Sequence, residues 1–277
     1  MSGFIGVGIG PYPIGRTGTP ADPVPVAGAE LVVNGGFDSD TWWTKGSGWS
    51  ISGGVAIASS GADIYRVGLL DRYKYYRFSF DVVSVSAGTI TLLSASYTPS
   101  AIARSNPGSY SVVGRTVSAD TSIYMSGGGA FSGSIDNVSV IPLTLSSLLS
   151  TRTYASADCD LSAAVTRTAG TQAGLVARLD SSTSPANFII AYLDGASNVK
   201  ADKCVAGTYT NVISGAVTYG STKRLRLVCS GTSVSAYYDG TQVGSTVTVS
   251  DAGIVSNTRH GLFSTYASNA FAGYVAA

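Results

Sequence analysis

Charge is what this sequence has least of. Charged residues make up 12% of its 277 positions, about half the ordinary share. Glutamate is nearly missing: Glu30 stands alone, and the other fifteen acids are Asp. Lysine is scarce too, with five among 17 basic residues. Surface helices draw on Glu and Lys for propensity and for i,i+4 pairs, so a helical fold is excluded. A net charge of +1 leaves no electrostatic footprint for a nucleic acid. No uninterrupted run of about 18 apolar residues occurs, so no transmembrane helix and no membrane partner are expected. The N-terminus lacks the basic stretch that precedes the apolar core of a signal peptide. Cys159, Cys204 and Cys229 are odd in number and widely spaced. They make neither a zinc pattern nor a disulfide framework, and are expected as reduced, buried thiols.

What is present is Gly, Ser, Thr, Val and Tyr, the composition of an all-β chain. Residues 1–28 stand apart. Glycine recurs there, five prolines follow, and a helix or central strand is ruled out. Phe4, Ile5, Val7, Ile9, Tyr12 and Ile14 are too apolar for a solvated tether. The segment reads as an extended docking arm lying on another subunit, or as an arm folded back on its own chain.

From residue 29 short strand patterns alternate with turns. Candidates fall at 30–33, 50–58, 62–67, 75–86, 89–96, 109–113, 121–125 and 133–140, with Asn34-Gly35-Gly36 as a turn. A connector over 143–149, rich in leucine, separates these from a second series that starts near Arg152 and ends near Val275. Asp194-Gly195 and Asp239-Gly240 mark hairpins in it. The fold expected is all-β: an N-terminal extended arm (1–28) followed by two β-sandwich (jelly-roll) domains, 29–142 and 143–277.

Three stretches carry a resemblance. Val33-Asn34-Gly35-Gly36-Phe37-Asp38, then Gly48-Trp49-Ser50-Ile51-Ser52-Gly53-Gly54, then Phe131-Ser132-Gly133-Ser134-Ile135-Asp136-Asn137-Val138 are similar to a carbohydrate-binding-module-like jelly roll. Gly174-Leu175-Val176-Ala177-Arg178-Leu179-Asp180, Tyr237-Tyr238-Asp239-Gly240 and His260-Gly261-Leu262-Phe263 resemble a laminin-G/concanavalin-like jelly roll. The order of parts resembles tailed-phage virion appendage or decoration proteins, head or tail fibre. The resemblance implies a virion location, other capsid, neck or tail proteins as partners, surface glycans as ligands, and a homo-oligomer, expected as a trimer. Contacts within it would come from the arm and the connector; the alternative is a connector packed inside one chain.

Candidate chemistry is sparse. Glycosidases built on such jelly rolls rely on closely spaced Glu, which this chain lacks. Asp38/Asp40 and Asp158/Asp160 have i,i+2 spacing, but such pairs ordinarily serve turns and surfaces. His260 has no nucleophile-elbow serine to serve. An enzyme is therefore not expected. Trp42, Trp43 and Trp49 are the candidate glycan platform, since rings flanked by polar groups suit the apolar faces of sugars. Adjacent residues in a strand face opposite ways, so an extended segment would leave Trp42 or Trp43 outside the core. The resemblance also implies a structural calcium, for which Asp38 and Asp136 are the candidates; no other cofactor is expected. Arg72-Tyr73-Lys74-Tyr75-Tyr76-Arg77 interleaves bases and aromatics and reads as a half-buried strand with a wet face.

Overall fold

Alternation of apolar and polar residues dictates most of the strands. The computed structural model of the chain describes residues 19–94, 97–98, 103–117 and 121–277. The N-terminal half carries β1 (Thr44–Lys45), β2 (Trp49–Ser52), β3 (Val55–Arg66), β4 (Tyr75–Ala87), β5 (Thr91–Ser94), β6 (Tyr97–Thr98), β7 (Gly108–Thr116) and β8 (Ile123–Leu143). All eight belong to one wrapped sheet of order β1-β3-β8-β4-β7-β6, with β2 on β3 and β5 on β8.

The strands expected at 121–125 and 133–140 are one bent strand, while that expected at 50–58 is a hairpin of β2 and the start of β3, which runs on through 62–66. β8 spans 21 residues and changes partners along its length. Its start pairs with β5 and with the end of β3, and its later part with β4. The bend falls at Gly127-Gly128-Gly129, where φ of +56° at Gly128 and +74° at Gly129 suits glycine alone. β3 bends opposite it, with register shifts around Gly61. The wrapped sheet encloses an aromatic core that includes Phe37, Trp43, Trp49, Phe78, Phe80 and Phe131.

The strand expected at 30–33 does not form. Residues 27–31 run beside the end of β8 with two ladder-like bonds, Gly28 N–H to Pro142 O and Leu31 N–H to Val140 O. Between them Glu30 takes over: its carboxylate accepts the N–H of Val32 and of Val140, each at 2.8 Å. A side chain thus fills the place of a backbone partner.

The C-terminal half carries β9 (Leu149–Thr153), β10 (Cys159–Thr166), β11 (Ala173–Leu179), β12 (Phe188–Leu193), β13 (Asn198–Val205), β14 (Thr208–Ala216), β15 (Arg224–Ser230), β16 (Ser233–Tyr238), β17 (Thr241–Thr248), β18 (Arg259–Ser264) and β19 (Ala270–Ala276). They form a sandwich of two sheets, β17-β16-β15-β10-β19 and β14-β13-β12-β11-β18-β9. Leu161, Leu175, Ile189, Leu225 and Leu227 meet between them. Asp239-Gly240 is the expected tight hairpin, joining Tyr238 to its partner Thr241, with φ of +52° and +81°.

The halves meet along a third core. β11 and β12 are buried at every position. Ile189, Ala191 and Leu193 face the sandwich interior, while Phe188, Ile190 and Tyr192 face the N-terminal half. A bulge in β11 at Arg178, with φ of +54°, turns Leu179 to the same outer side as Val176. Tyr75 and Val113 come from the N-terminal half, and Leu143 and Leu148 from the connector. The connector's leucines are therefore used within one chain, which removes them as the expected contact between copies. The described end of the arm also lies on its own chain: Val26 O accepts from Thr144 N–H, and Val26 N–H donates to Ser147 Oγ. Phe4, Ile5, Val7, Ile9, Tyr12 and Ile14 lie outside the described residues.

Candidate functional site

The three tryptophans lie in and just after the loop that follows residue 34. Asn34 organises the loop before them, its amide donating to Ser39 O and Thr41 O. Trp43 is 6% exposed and Trp49 7%. Trp43 Nε1–H donates to Asn34 O at 2.8 Å, and Trp49 stacks on Phe131. Trp42 is half-buried and is not in an extended segment: its φ is +76°. The kink lets Trp42 sit edge-on to Trp43 at 4.8 Å. The Arg66 guanidinium lies 5.0 Å from the Trp42 ring centre and donates to Trp42 O. Trp42 is thus the one indole of the three that is not buried.

Asp38 is exposed, and its N–H bonds Asn34 Oδ1. Asp136 accepts the N–H of its neighbour Asn137. Among the described residues no group of three or more Asp, Glu, His or Cys side chains gathers to hold a metal. Calcium takes six to eight oxygens, several of them carboxylate, so these side chains do not fit that ion. The paired aspartates have structural partners. Asp40 pairs with Lys45, Asp158 with Arg178 and the Gly231 N–H, and Asp160 with Nε and Nη2 of Arg226. His260 is buried and satisfied: Nδ1 accepts the Arg178 N–H and Nε2–H donates to Ser156 O, each at 3.0 Å.

The cavity that unites polar and aromatic groups lies elsewhere, at the mouth of the seam between the halves. It encloses about 530 Å³ and is lined by Arg72, Tyr73, Arg115, Val117, Tyr192, Lys200, Asp202, Tyr209, Asn211 and Ser214. The outer face of the six-stranded sheet supplies its floor through β12, β13 and β14. The loop before β4 supplies Arg72 and Tyr73, and β7 supplies Arg115.

That loop is held in a strained shape. Tyr73 has φ of +63°, costly for a non-glycine residue unless the surroundings impose it. Thr116 imposes it: its carbonyl accepts the Tyr73 N–H, and its hydroxyl donates to Asp71 O and accepts the Lys74 N–H. Tyr76 OH accepts the Asp71 N–H. Arg72 lies over the Tyr73 ring at 4.4 Å and donates to Val117 O. Across the cleft Tyr73 faces Tyr209, with ring centres 6.2 Å apart.

Beneath these rings sits a buried polar network. Asp202, 1% exposed, accepts from Arg115 Nη2, Tyr192 OH and Asn211 Nδ2, each at 2.8 Å. Arg115 Nη1 donates to Tyr75 OH, and its guanidinium lies 3.7 Å from the Tyr209 ring centre. Burial pushes the Tyr75 phenol up to about 12 and raises Tyr192 and Tyr209 as well. Burial acts to lower Arg115, yet Tyr75, Tyr192 and Asp202 outweigh it and hold the guanidinium charged. Above the network the floor is wet: Asn211 and Ser214 are exposed and Lys200 is partly so.

Arg72 and Tyr73 belong to the basic-aromatic stretch singled out in the sequence. That stretch is only half a strand: β4 begins at Tyr75, and Arg72-Tyr73 form the rim of the cleft instead. Asp202 and Tyr209 gave no signal of a shared cleft, since the groups that close it over them, Arg115 and Tyr73, lie 87 residues or more away.

No protein-family profile matches the chain, and no curated protein matches it. Among solved structures, a carbohydrate-binding module, CBM66, of Bacillus subtilis aligns at 17% identity and a TM-score of 0.37, covering 50% of this chain and 80% of that one. A GH43 protein of Bacillus licheniformis aligns at 15% identity and 0.36, covering 46% of this chain and 28% of the other. Values this low assign no family.

Proposed function

We propose that this chain is a non-enzymatic structural protein of a tailed-phage virion, anchored through residues 1–28 and displaying two sandwiches that bind surface glycan in the cleft between them. The observation that carries the binding half is the cleft. Its volume falls in the range of small-molecule sites. Tyr73, partly exposed at the rim, offers apolar ring surface for sugar C–H groups, and the buried Tyr209 backs it. Asn211, Ser214, Lys200 and Arg72 surround them with donors and acceptors for hydroxyls. The Asp202 network fixes the floor before a ligand arrives, which limits the ordering cost of binding.

The structural half rests on sequence organisation: an apolar glycine- and proline-rich arm ahead of two β-sandwiches. The non-enzymatic reading rests on the lone Glu30, committed to the backbone of Val32 and Val140, and on aspartates committed to arginines and turns. Appendages reuse one interface through closed symmetry, so a homotrimer joined by the arm is part of the proposal.

A glycan array probed with the full chain tests the binding half. Retention of a defined set of glycans is expected; uniform absence of binding across the array overturns it. Deleting residues 1–25 tests the anchor. The truncated chain should fold yet be lost from purified particles, and full occupancy would refute docking by the arm.

A further inference from the structure

A second cluster of reactive side chains lies at the centre of the five-stranded sheet. There β10 and β15 are neighbours, and their register sets Cys159 directly opposite Cys229. Facing residues of an antiparallel ladder have Cα atoms about 4.5–5.5 Å apart, inside the span a disulfide bridges. Both side chains point to the same face, into the sandwich core. Both thiols are free. The Cys159 thiol donates to the Cys229 sulfur, which lowers Cys229 from its ordinary value, and the Arg178 guanidinium lowers it further. Arg178 is fully buried. The guanidinium is paired with Asp158 through Nη2 and bonds Ala157 O through Nε, and its Nη1 is left as an unpartnered donor in the dry core near the thiol pair. Cys204 is unlike them. It lies on the other sheet, opposite Tyr209, and donates to Ala186 O.

We propose that Cys159 and Cys229 form an oxidative modification site, a cross-strand pair that closes an intrachain disulfide between β10 and β15. Cys159 is 6% exposed and Cys229 1%, so the oxidant must be small; hydrogen peroxide suits. The Cys229 thiolate attacks one peroxide oxygen, the O–O bond breaks, and with one proton the products are a sulfenic acid and water. The Cys159 sulfur then attacks the Cys229 sulfur, the S–O bond breaks, and the thiol proton leaves with the hydroxide as a second water. Two thiols are oxidised, one peroxide is reduced, and the bond joins strands whose cysteines are about 70 residues apart in sequence, a loop long enough for a marked effect on the unfolded chain. Such a link persists outside a reducing compartment.

The test uses the full native chain and hydrogen peroxide. The intact mass should fall by two hydrogens. Alkylation after unfolding should then reach Cys204 alone, and proteolysis should release a peptide joining Cys159 to Cys229. The thermal midpoint should rise by roughly 5–10 °C. In Cys159→Ser the reaction should stop at a Cys229 sulfenic acid that dimedone traps. Oxygen adducts on the wild-type cysteines without a link, three thiols still alkylated, or a link through Cys204 would each overturn the proposal.

Discussion

The five-stranded and six-stranded sheets of the C-terminal sandwich share one core and differ on their outer faces. β10 alternates buried and half-buried positions, as a strand with one wet face must. β11 and β12 are buried throughout, because the N-terminal half covers their second face. The ion pairs differ in the same way. Asp160 holds Arg226 on the open face, with side chains 38% and 45% exposed. Asp202 holds Arg115 in the seam, at 1% and 5%. A surface pair is screened and worth little. A buried pair is costly to assemble and far more costly to break. The open face is therefore ordinary surface, and the seam is a buried core shared by the two halves.

Separating the halves gives the largest expected effect. Residues 143–277 produced alone would expose Phe188, Ile190, Tyr192 and Phe263, an apolar patch that drives association. Light scattering should report polydisperse aggregates where the full chain is a single defined species. A monomeric, cooperatively folded fragment would show that the seam is dispensable. Asp202→Ala comes next, leaving Arg115 charged and unpaired. Urea denaturation should show a loss of about 3–5 kcal/mol, against less than about 1 kcal/mol for Asp160→Ala. Equal losses would dissolve the contrast between the faces.

Alkaline pH sharpens the comparison further. Burial raises Tyr75 from 10.0 to about 12, so the folded state favours the neutral phenol. Its contribution is fully present below pH 10 and is lost as pH rises toward 12, amounting to about 2–3 kcal/mol. Stability measured by urea midpoint should fall across that window in the wild type. Tyr75→Phe should flatten the fall. A curve unchanged by that substitution would remove Tyr75 from the account.

Much of the fold was legible because periodicity is local. The alternation of Tyr76, Phe78, Phe80 and Val82 in β4 reports a half-buried strand directly, and Asp239-Gly240 reports its own turn. The seam had a signal as well: Phe-Ile-Ile-Ala-Tyr-Leu at 188–193 is too continuously apolar for a strand with a wet face. Other features were hidden for physical reasons. The kink at Trp42 depends on Arg66 gripping its carbonyl. Glu30 replaces a ladder bond through a side chain that meets Val140 across 110 positions. The cleft could be half seen, in Arg72 and Tyr73, because its floor comes from strands remote in sequence. The tryptophan motif drew attention by composition, whereas Trp43 and Trp49 serve the aromatic core.

The account turns on where carbohydrate binds, and the two aromatic sites separate cleanly. Calorimetric titration of the full chain with a glycan retained on the array should be repeated for Tyr73→Ala and Trp42→Ala. Loss of an aromatic face is worth about 0.5–1.5 kcal/mol beyond the area lost, so Tyr73→Ala should weaken binding up to about tenfold while Trp42→Ala leaves it unchanged. Binding that survives Tyr73→Ala and fails in Trp42→Ala would move the site to the tryptophan loop and contradict the cleft.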